Sequence, residues 1–325
     1  MVFGIGLLVN AILVAIPVGG SVGALLGIDA HRAATGQKPL FTGGNNNDGT
    51  GTGGDSTGGG GGHDTITNNG VQHTQYCELS YGITPPSKTE QYTLNPNQWG
   101  VKADTTGNGL CMNITTLANQ TYAPQTAPEF SITWQFDHGP QTAPVHGYPN
   151  IRVDDVLPKE MNKISQVDLD LHWTYGLGDT PAESTDVQTL KNENLATNVA
   201  IDMFLDADAE KAKSASEAKF EVMVWFWMSN QEAQPLGWGK PGITRTLGGN
   251  YVGQYVLSWL PETITERFTG DIYPLITDLY NFGGSDYPAA EDYLGSLSFG
   301  TEVYSVDKNV TFWAEQYKID IKSSV

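Results

Sequence analysis

The clearest pattern along the chain is an apolar run that carries a single carboxylate, Lys-Phe-Glu-Val-Met-Val-Trp-Phe-Trp-Met at residues 219–228. Side chains alternate between the two faces of a β-strand, so this run predicts a strand with Glu221, Met223, Trp225 and Trp227 on one face. The opposite face is apolar and consists of Phe220, Val222, Val224 and Phe226. Because an unpaired charge in apolar surroundings is costly, Glu221 is the first candidate functional residue.

Two further segments repeat this arrangement of an acid on one strand face and apolar side chains on the other. Asp202 lies opposite the apolar set Val199, Ile201, Met203 and Leu205. Glu302 shares a face with Ser296, Ser298, Gly300 and Tyr304, opposite Leu297, Phe299 and Val303. The small residues beside Glu302 would let a ligand approach closely. The pattern predicts three strands that each present one acid.

Alternation continues through the rest of residues 72–325, and it predicts an all-β fold. Core-facing positions recur at Leu169, Leu171, Trp173 and Tyr175, and again at Trp313, Tyr317, Ile319 and Ile321. Many short strands separated by Gly, Asn and Pro turns favour a sandwich of two sheets. In one segment, Ile272, Leu275, Ile276 and Leu279 recur at helical spacing instead, which predicts a single packed helix with Pro274 in its first turn.

Carboxylates beside indole rings suit a site for polysaccharides. Sugar rings stack on aromatic faces, and glycosidic cleavage uses two carboxyl groups, which in retaining enzymes stand about 5 to 5.5 Å apart. Glu221 and Glu302 are the candidate pair, with Asp202 as a third acid. Two other interpretations stay open on pattern alone: strand carboxylates paired with cations, or a non-catalytic carbohydrate-binding module.

Five segments together resemble glycoside hydrolase family 12. The two that carry the paired acids are Phe-Glu-Val-Met-Val-Trp at 220–225 and Gly-Thr-Glu at 300–302. The others are Asn-Gln-Trp-Gly at 97–100, Val-His-Gly-Tyr-Pro-Asn at 145–150 and Val-Ala-Ile-Asp-Met-Phe-Leu at 199–205, in the family's order. The resemblance implies a β-jelly roll of two antiparallel sheets with a long substrate cleft, and an endo-acting, retaining β-1,4-glucanase or xyloglucanase.

The resemblance also assigns roles to individual residues. It implies that Glu221 is the nucleophile, that Glu302 is the acid/base and that Asp202 supports the nucleophile. Sugar contacts are implied for Trp99, Tyr148, Asn150, Met223 and Trp225, and a disulfide is implied for Cys77 and Cys111. One departure follows Glu302, where Val303-Tyr304 stands in place of the Pro-Phe of many members.

The N-terminal part of the chain has a different composition. Residues 1–28 contain no charged side chain, which predicts a signal peptide or a membrane anchor over residues 1–30. Residues 31–71 are rich in Gly, Asn and Thr and predict a flexible linker. The catalytic domain is therefore expected over residues 72–325, outside the cell or tethered to its outer surface.

Composition narrows the class of partner. A formal net charge of −19 with no offsetting basic cluster argues against nucleic acid, whose phosphates would be repelled. The six histidines lack the spacing of a metal site, so neither a metal nor a cofactor is expected. The expected partner is a β-glucan, bound by a monomer.

Overall fold

The computed structural model describes residues 65–68, 70–79, 92–117, 127–141, 143–236, 246–251 and 254–324. Two sheets account for most of these residues. The seven-stranded sheet contains, in spatial order, β1 Thr65–Asn68, β2 Val71–Tyr76, β4 Gly109–Leu117, β5 Glu129–Gln135, β16 Val310–Ser323, β8 Ile164–Leu177 and β13 Arg267–Asp271. The nine-stranded sheet contains β11 Thr246–Tyr251, β12 Gln254–Trp259, β10 Phe220–Met228, β9 Ala196–Asp206, β14 Tyr293–Gly300, β6 Asn150–Val153 and β3 Tyr92–Asn95 on its main path, with β15 Val303–Ser305 on β9 and β7 Lys159–Glu160 on β14.

The pairing of neighbouring strands is mostly antiparallel. Long antiparallel ladders join β16 to β8 and β10 to β9. Strands β10 and β12 pair in parallel, with Glu221 opposite Val256. The nine-stranded sheet is therefore mixed at this one pairing among the described strands.

The hydrophobic core lies between the two sheets. Phe299 of β14 stacks on Tyr317 of β16 with ring centroids 5.3 Å apart, and Trp227 of β10 stacks on Trp173 of β8 at 5.9 Å. Each pair joins one sheet to the other, and such aromatic contacts add about 0.5 to 1.5 kcal/mol beyond the area they bury. The predicted two-sheet sandwich is confirmed.

Most of the predicted strand faces are also confirmed. The apolar sets predicted opposite Glu221, Asp202 and Glu302 all belong to the core between the sheets. The three acids therefore lie on the other face of the nine-stranded sheet, which we call the carboxylate face and define by Asp202, Glu221 and Glu302.

Trp227 is an exception to the predicted alternation. The register of β10 against β9 shifts between Trp225, which pairs with Ala200, and Trp227, which pairs with Val199. A β-bulge inserts one residue and reverses the faces beyond it. Trp227 consequently packs in the core, and the expectation that it shares a face with Glu221 was wrong.

A second bulge changes the face of Trp313. The register of β16 shifts between Ala314 and Gln316, so Phe312 and Ala314 face the core on one side of the bulge, and Tyr317 does so on the other. Trp313 points outward and donates its indole N–H to Glu129 over 2.9 Å. Its predicted place on the core face was therefore wrong.

The predicted helix is present and short. Helix α2, Tyr273–Thr277, has Pro274 in its first turn and continues as a 3-10 helix to Phe282, burying Ile276 and Leu279. The structure adds helix α1, Val187–Asn192, whose N-cap Asp186 accepts from the backbone N–H groups of Gln188 and Thr189. A side-chain cap of this kind stabilises a short helix by about 1 kcal/mol.

The N-terminal predictions lie largely outside the described residues, as do all of residues 1–64. Strand β1 forms within the segment predicted as linker and pairs with β2. Cys77, one residue past β2, forms a disulfide with Cys111 of β4, with Cα atoms 4.1 Å apart. Among the described helices, none has the length and apolar character needed to cross a bilayer.

Candidate active site

The register of three neighbouring strands brings two of the predicted acids together. Asp202 of β9 pairs with Met223 of β10 and with Ser298 of β14. Glu221 pairs with Phe204, which lies two residues after Asp202 on β9. Paired residues in an antiparallel ladder project from the same face, so Asp202 and Glu221 are diagonal neighbours. Asp202 is 7% exposed and Glu221 is half-buried.

Glu302 reaches the same face from the end of β14. The chain leaves β14 at Gly300, and β15 then pairs with β9 at Thr197. Between the two strands, Thr301 donates its hydroxyl to the carbonyl oxygen of Asn198 at 2.5 Å, and the Thr197 hydroxyl donates to the carbonyl oxygen of Glu302 at 2.6 Å. These bonds fix the Glu302 backbone against β9.

The three carboxyl groups interact electrostatically. Burial, followed by the charge of Glu302, raises the pKa of Glu221 to about 8. Burial, followed by the charges of Glu221 and Glu302, raises the pKa of Asp202 well above its usual range. Burial also raises the pKa of Glu302, although hydrogen bonds from Asn198 and Tyr304 oppose that increase.

Burial and mutual repulsion disfavour three negative charges in this cluster. Asp202 is the least exposed of the three acids, and burial together with the charges of Glu221 and Glu302 favours its protonated form. Its Oδ1 is buried without a hydrogen-bond partner among the described residues. The arrangement provides an ionisable carboxylate, a proton-holding carboxyl and a third acid beside them.

Met223 and Trp225 form the apolar part of the carboxylate face. They pack with Ala200 and Val256 in a small cluster separate from the main core, and Leu236 lies against it. Both side chains are at most 5% exposed. The indole N–H of Trp225 is buried, and no described residue accepts a hydrogen bond from it.

Tyr148 and Asn150 lie against the end of β14. A Cβ at Gly300 would stand 2.1 Å from the carbonyl oxygen of Pro149, so only glycine permits this close approach. Tyr148 is 7% exposed, and its hydroxyl lies 3.0 Å from the carbonyl oxygen of Ala200. The Asn150 amide donates to the Tyr148 carbonyl at 2.6 Å. Both side chains therefore form hydrogen bonds within the protein.

Trp99 is the exposed aromatic residue near these segments. It is 38% exposed and follows β3 in a turn that packs on residues 145–148. Gly100 donates its N–H to the His146 carbonyl at 2.9 Å, and Tyr148 donates its N–H to the Asn97 carbonyl at 3.1 Å. The segment carrying His146 and Gly147 bonds in turn to Val303, the neighbour of Glu302.

A comparison with protein-family models identifies the family of the chain. The model for glycosyl hydrolase family 12 matches residues 90–322, which is more than two thirds of the chain. The chain belongs to glycosyl hydrolase family 12. The resemblance read from its five sequence motifs is therefore confirmed, and all three acids lie within the matched residues.

Solved structures of family 12 enzymes share the fold. Endoglucanase 3 of Trichoderma harzianum aligns with a TM-score of 0.60 at 20% identity, over 79% of this chain and 100% of that one. The catalytic domain of Humicola grisea Cel12A, solved in complex with a soaked thio cellotetraose, gives 0.56 at 21% identity, over 71% and 93%. A Bacillus licheniformis family 12 xyloglucanase in complex with ligand gives 0.54 at 15% identity, over 77% and 99%.

The structure adds two hydrogen-bonding contacts to this family 12 site that sequence reasoning missed. Asn198 donates its side-chain amide to Oε2 of Glu302, and Tyr304 donates its hydroxyl to the same oxygen at 3.3 Å. Asn198 lies four residues before Asp202, on the same strand face, so strict alternation along β9 could have indicated it. Tyr304 lies two residues after Glu302, so alternation already predicted it on the same face and missed only its hydrogen bond.

The described residues contain no group of three or more His, Cys, Asp or Glu side chains suited to hold a metal ion. The predicted disulfide partners Cys77 and Cys111 lie at the ends of β2 and β4, in the seven-stranded sheet. They are thus on the opposite sheet from the three acids.

Proposed function

We propose that this family 12 protein is an endo-acting, retaining glycoside hydrolase that cleaves internal β-1,4-glucosidic bonds of cellulose or related β-glucans. The observation that carries the proposal is the gathering of Glu221, Glu302 and Asp202 on one face, where their ionisation is coupled. A non-catalytic binding module has no need of three acids that interact in this way. Met223 and Trp225 lie beside the acids in an apolar cluster, and at 5% and 3% exposure they would contact a sugar ring only after a rearrangement.

In the proposed mechanism Glu221 and Glu302 divide the chemistry between them. The Glu221 carboxylate attacks the anomeric carbon while Glu302 transfers its proton to the leaving glycosidic oxygen, giving a glycosyl-enzyme ester and a free chain end. Glu302 then takes a proton from an incoming water, whose oxygen attacks the anomeric carbon and releases Glu221. Two displacements return the anomeric configuration to β.

Asp202 is assigned a supporting role for the nucleophile. Its strongly raised pKa keeps it protonated beside Glu221, so it adds no second negative charge next to the attacking carboxylate. A neutral acid at this position also offers a hydrogen-bond donor as Glu221 becomes the leaving group of the second step. A neutral Asp202 thereby avoids a further increase in the pKa of Glu221, which burial and the charge of Glu302 already raise to about 8.

The predicted sugar contacts fall into two groups in this proposal. Trp99 is exposed and available as a stacking platform, whereas Met223 and Trp225 are buried beside the acids. Tyr148 and Asn150 are buried and bonded within the protein, and their contribution is to shape the site, with direct contact requiring a rearrangement. No cofactor takes part in the proposed reaction.

The proposed setting is extracellular. A disulfide between Cys77 and Cys111 suits an oxidising compartment, and a polymer substrate is met outside the cell. Residues 1–30 would serve as signal peptide or membrane tether, and residues 31–71 as linker. We further propose that the enzyme acts as a monomer.

Hydrolysis of defined polymers tests this function. The full chain is incubated with carboxymethylcellulose, barley β-glucan and xyloglucan, and new reducing ends and viscosity are followed. We expect reducing ends from the linear glucans with an early fall in viscosity, and β-anomeric products by NMR at short times. Glu221→Gln is expected to lose hydrolysis by about 10⁴-fold or more while retaining glucan binding.

Each arm of this experiment has a decisive outcome. Preference for xyloglucan would transfer the assignment to a xyloglucanase, the activity named for the Bacillus licheniformis relative. Undiminished hydrolysis by Glu221→Gln would remove its role as nucleophile. Binding of all three glucans without hydrolysis by the unaltered, folded protein would favour the carbohydrate-binding module.

A further inference from the structure

The two oxygens of the Glu302 carboxyl group have different surroundings. Oε2 accepts hydrogen bonds from the Asn198 amide and from the Tyr304 hydroxyl, the latter over 3.3 Å. No hydrogen bond from the described residues reaches Oε1. The backbone N–H of Glu302 also donates to Oδ1 of Asn198 at 3.3 Å, so the amide is oriented with its NH₂ group toward the carboxyl.

Tyr304 is rigidly held at this position. Its ring is 6% exposed and packs with Val145, Ala196 and Ala233 in a small cluster of its own. Its carbonyl oxygen lies 2.7 Å from Nδ1 of His146. Burial lowers the pKa of His146, so the ring is neutral and Nδ1 donates its proton to that carbonyl.

We propose that Tyr304 is a positioning residue for the acid/base: together with Asn198 it occupies Oε2 of Glu302, so that the transferable proton resides on Oε1. A carboxyl oxygen that accepts two hydrogen bonds has little capacity to bear the proton itself. The proton is then on the oxygen left free for the glycosidic bond. This inference rests on the role proposed for Glu302, and it assigns a function to the residue at which the chain departs from the Pro-Phe pattern.

Hydrogen bonds to Oε2 also affect the acidity of Glu302. Donors stabilise the carboxylate more than the neutral acid, so Asn198 and Tyr304 oppose the increase in pKa that burial causes. Burial and the adjacent Glu302 raise the pKa of Tyr304 well above its usual range, so the phenol keeps its proton and remains a donor. The charged and titratable groups near this pair are Glu221, Asp202, Glu232, Asp137, His138, His146 and Tyr148.

Tyr304→Phe removes the donor and keeps the ring. The basic limb of the pH profile of kcat/KM reports loss of the proton from the free enzyme's acid. We expect that limb to move to higher pH by about half to one unit, because the carboxylate loses a stabilising hydrogen bond. We also expect a lower kcat, since the proton is no longer confined to Oε1, while KM changes little.

Tyr317→Phe is the matched control. It removes a buried hydroxyl that has no partner among the described residues, on a ring that stacks with Phe299 in the core. Its pH profile is expected to superimpose on that of the unaltered enzyme. A basic limb that is the same in Tyr304→Phe, Tyr317→Phe and the unaltered enzyme would overturn the inference.

A second measurement separates this inference from the proposed function. In ¹³C-glutamate-labelled Glu221→Gln protein, the carboxyl titration of Glu302 is followed by NMR with and without Tyr304→Phe, and Glu302→Gln assigns the signal. We expect a higher midpoint in the protein that also carries Tyr304→Phe, whereas equal midpoints would overturn the inference. This titration requires no turnover, so absence of hydrolysis in the unaltered protein would refute the proposed function and leave the midpoints as the test of the hydrogen bond.

Discussion

Glu221 illustrates, at the scale of one residue, the conflict between catalysis and stability. Burial and the charge of Glu302 raise its pKa from 4.5 to about 8, so the folded protein binds this proton more tightly than the unfolded chain does. The resulting contribution to the free energy of unfolding is complete below about pH 4.5 and is lost as the pH rises through about 8. Glu221→Gln should therefore unfold at a higher temperature than the unaltered protein at pH 8 to 9, with the difference shrinking toward pH 4.5.

Calorimetric unfolding temperatures between pH 4 and 9 check this prediction. Glu217→Gln serves as control because it removes the same charge from an exposed position that precedes β10. A difference between Glu221→Gln and the unaltered protein that stays constant over this range would contradict the raised pKa.

At the scale of an element, the bulge in strand β10 places two nearby tryptophan side chains on opposite faces of the sheet. Trp225 lies on the carboxylate face, whereas Trp227, two residues later, stacks on Trp173 between the sheets. Trp227→Ala should lower the free energy of unfolding by about 3 to 5 kcal/mol, because it leaves a cavity in a closely packed core. Urea denaturation measures this loss.

Trp99→Ala is the comparison for Trp227→Ala, because Trp99 is 38% exposed and lies in a turn outside β10. Its cost in stability should stay near 0.5 kcal/mol, as expected of a surface substitution, while hydrolysis of polymer falls. Equal destabilisation by Trp227→Ala and Trp99→Ala would mean that Trp227 is not part of the core.

At the scale of the whole molecule, one covalent link ties the N-terminal edge to the seven-stranded sheet. The Cys77–Cys111 disulfide joins residues 34 positions apart and connects the end of β2 to β4. Closing a loop of this length restricts the unfolded chain, and its removal should cost about 3 to 4 kcal/mol. The double variant Cys77→Ser/Cys111→Ser is predicted to unfold at lower urea concentration.

The double variant should hydrolyse a soluble glucan as fast as the unaltered protein does, at a temperature where both remain folded. The reason is that the disulfide and the acids belong to different sheets. Reduction of the unaltered protein with dithiothreitol under mild denaturation provides the control. Unchanged stability without the disulfide would show that β1 and β2 contribute little to global unfolding.

Local sequence patterns were sufficient to predict the fold class and to single out the three acids. Period-two alternation placed Glu221, Asp202 and Glu302 opposite apolar sets, because burying one face of a sheet forces a regular pattern on each strand. Helical spacing at Ile272 to Leu279 likewise indicated α2. Such signals are local, and neighbouring residues alone are sufficient to read them.

The register between strands, by contrast, is visible only in the folded protein. The bulges beside Trp225 and Ala314 reversed the faces of Trp227 and Trp313, and nothing in the local pattern marks an inserted residue. The bond from the Asn198 amide to the Glu302 carboxyl joins positions 104 residues apart, and the local pattern does not indicate that the two lie together. Sequence alternation specifies which face a side chain occupies, whereas the contacts it makes depend on which strand lies beside it.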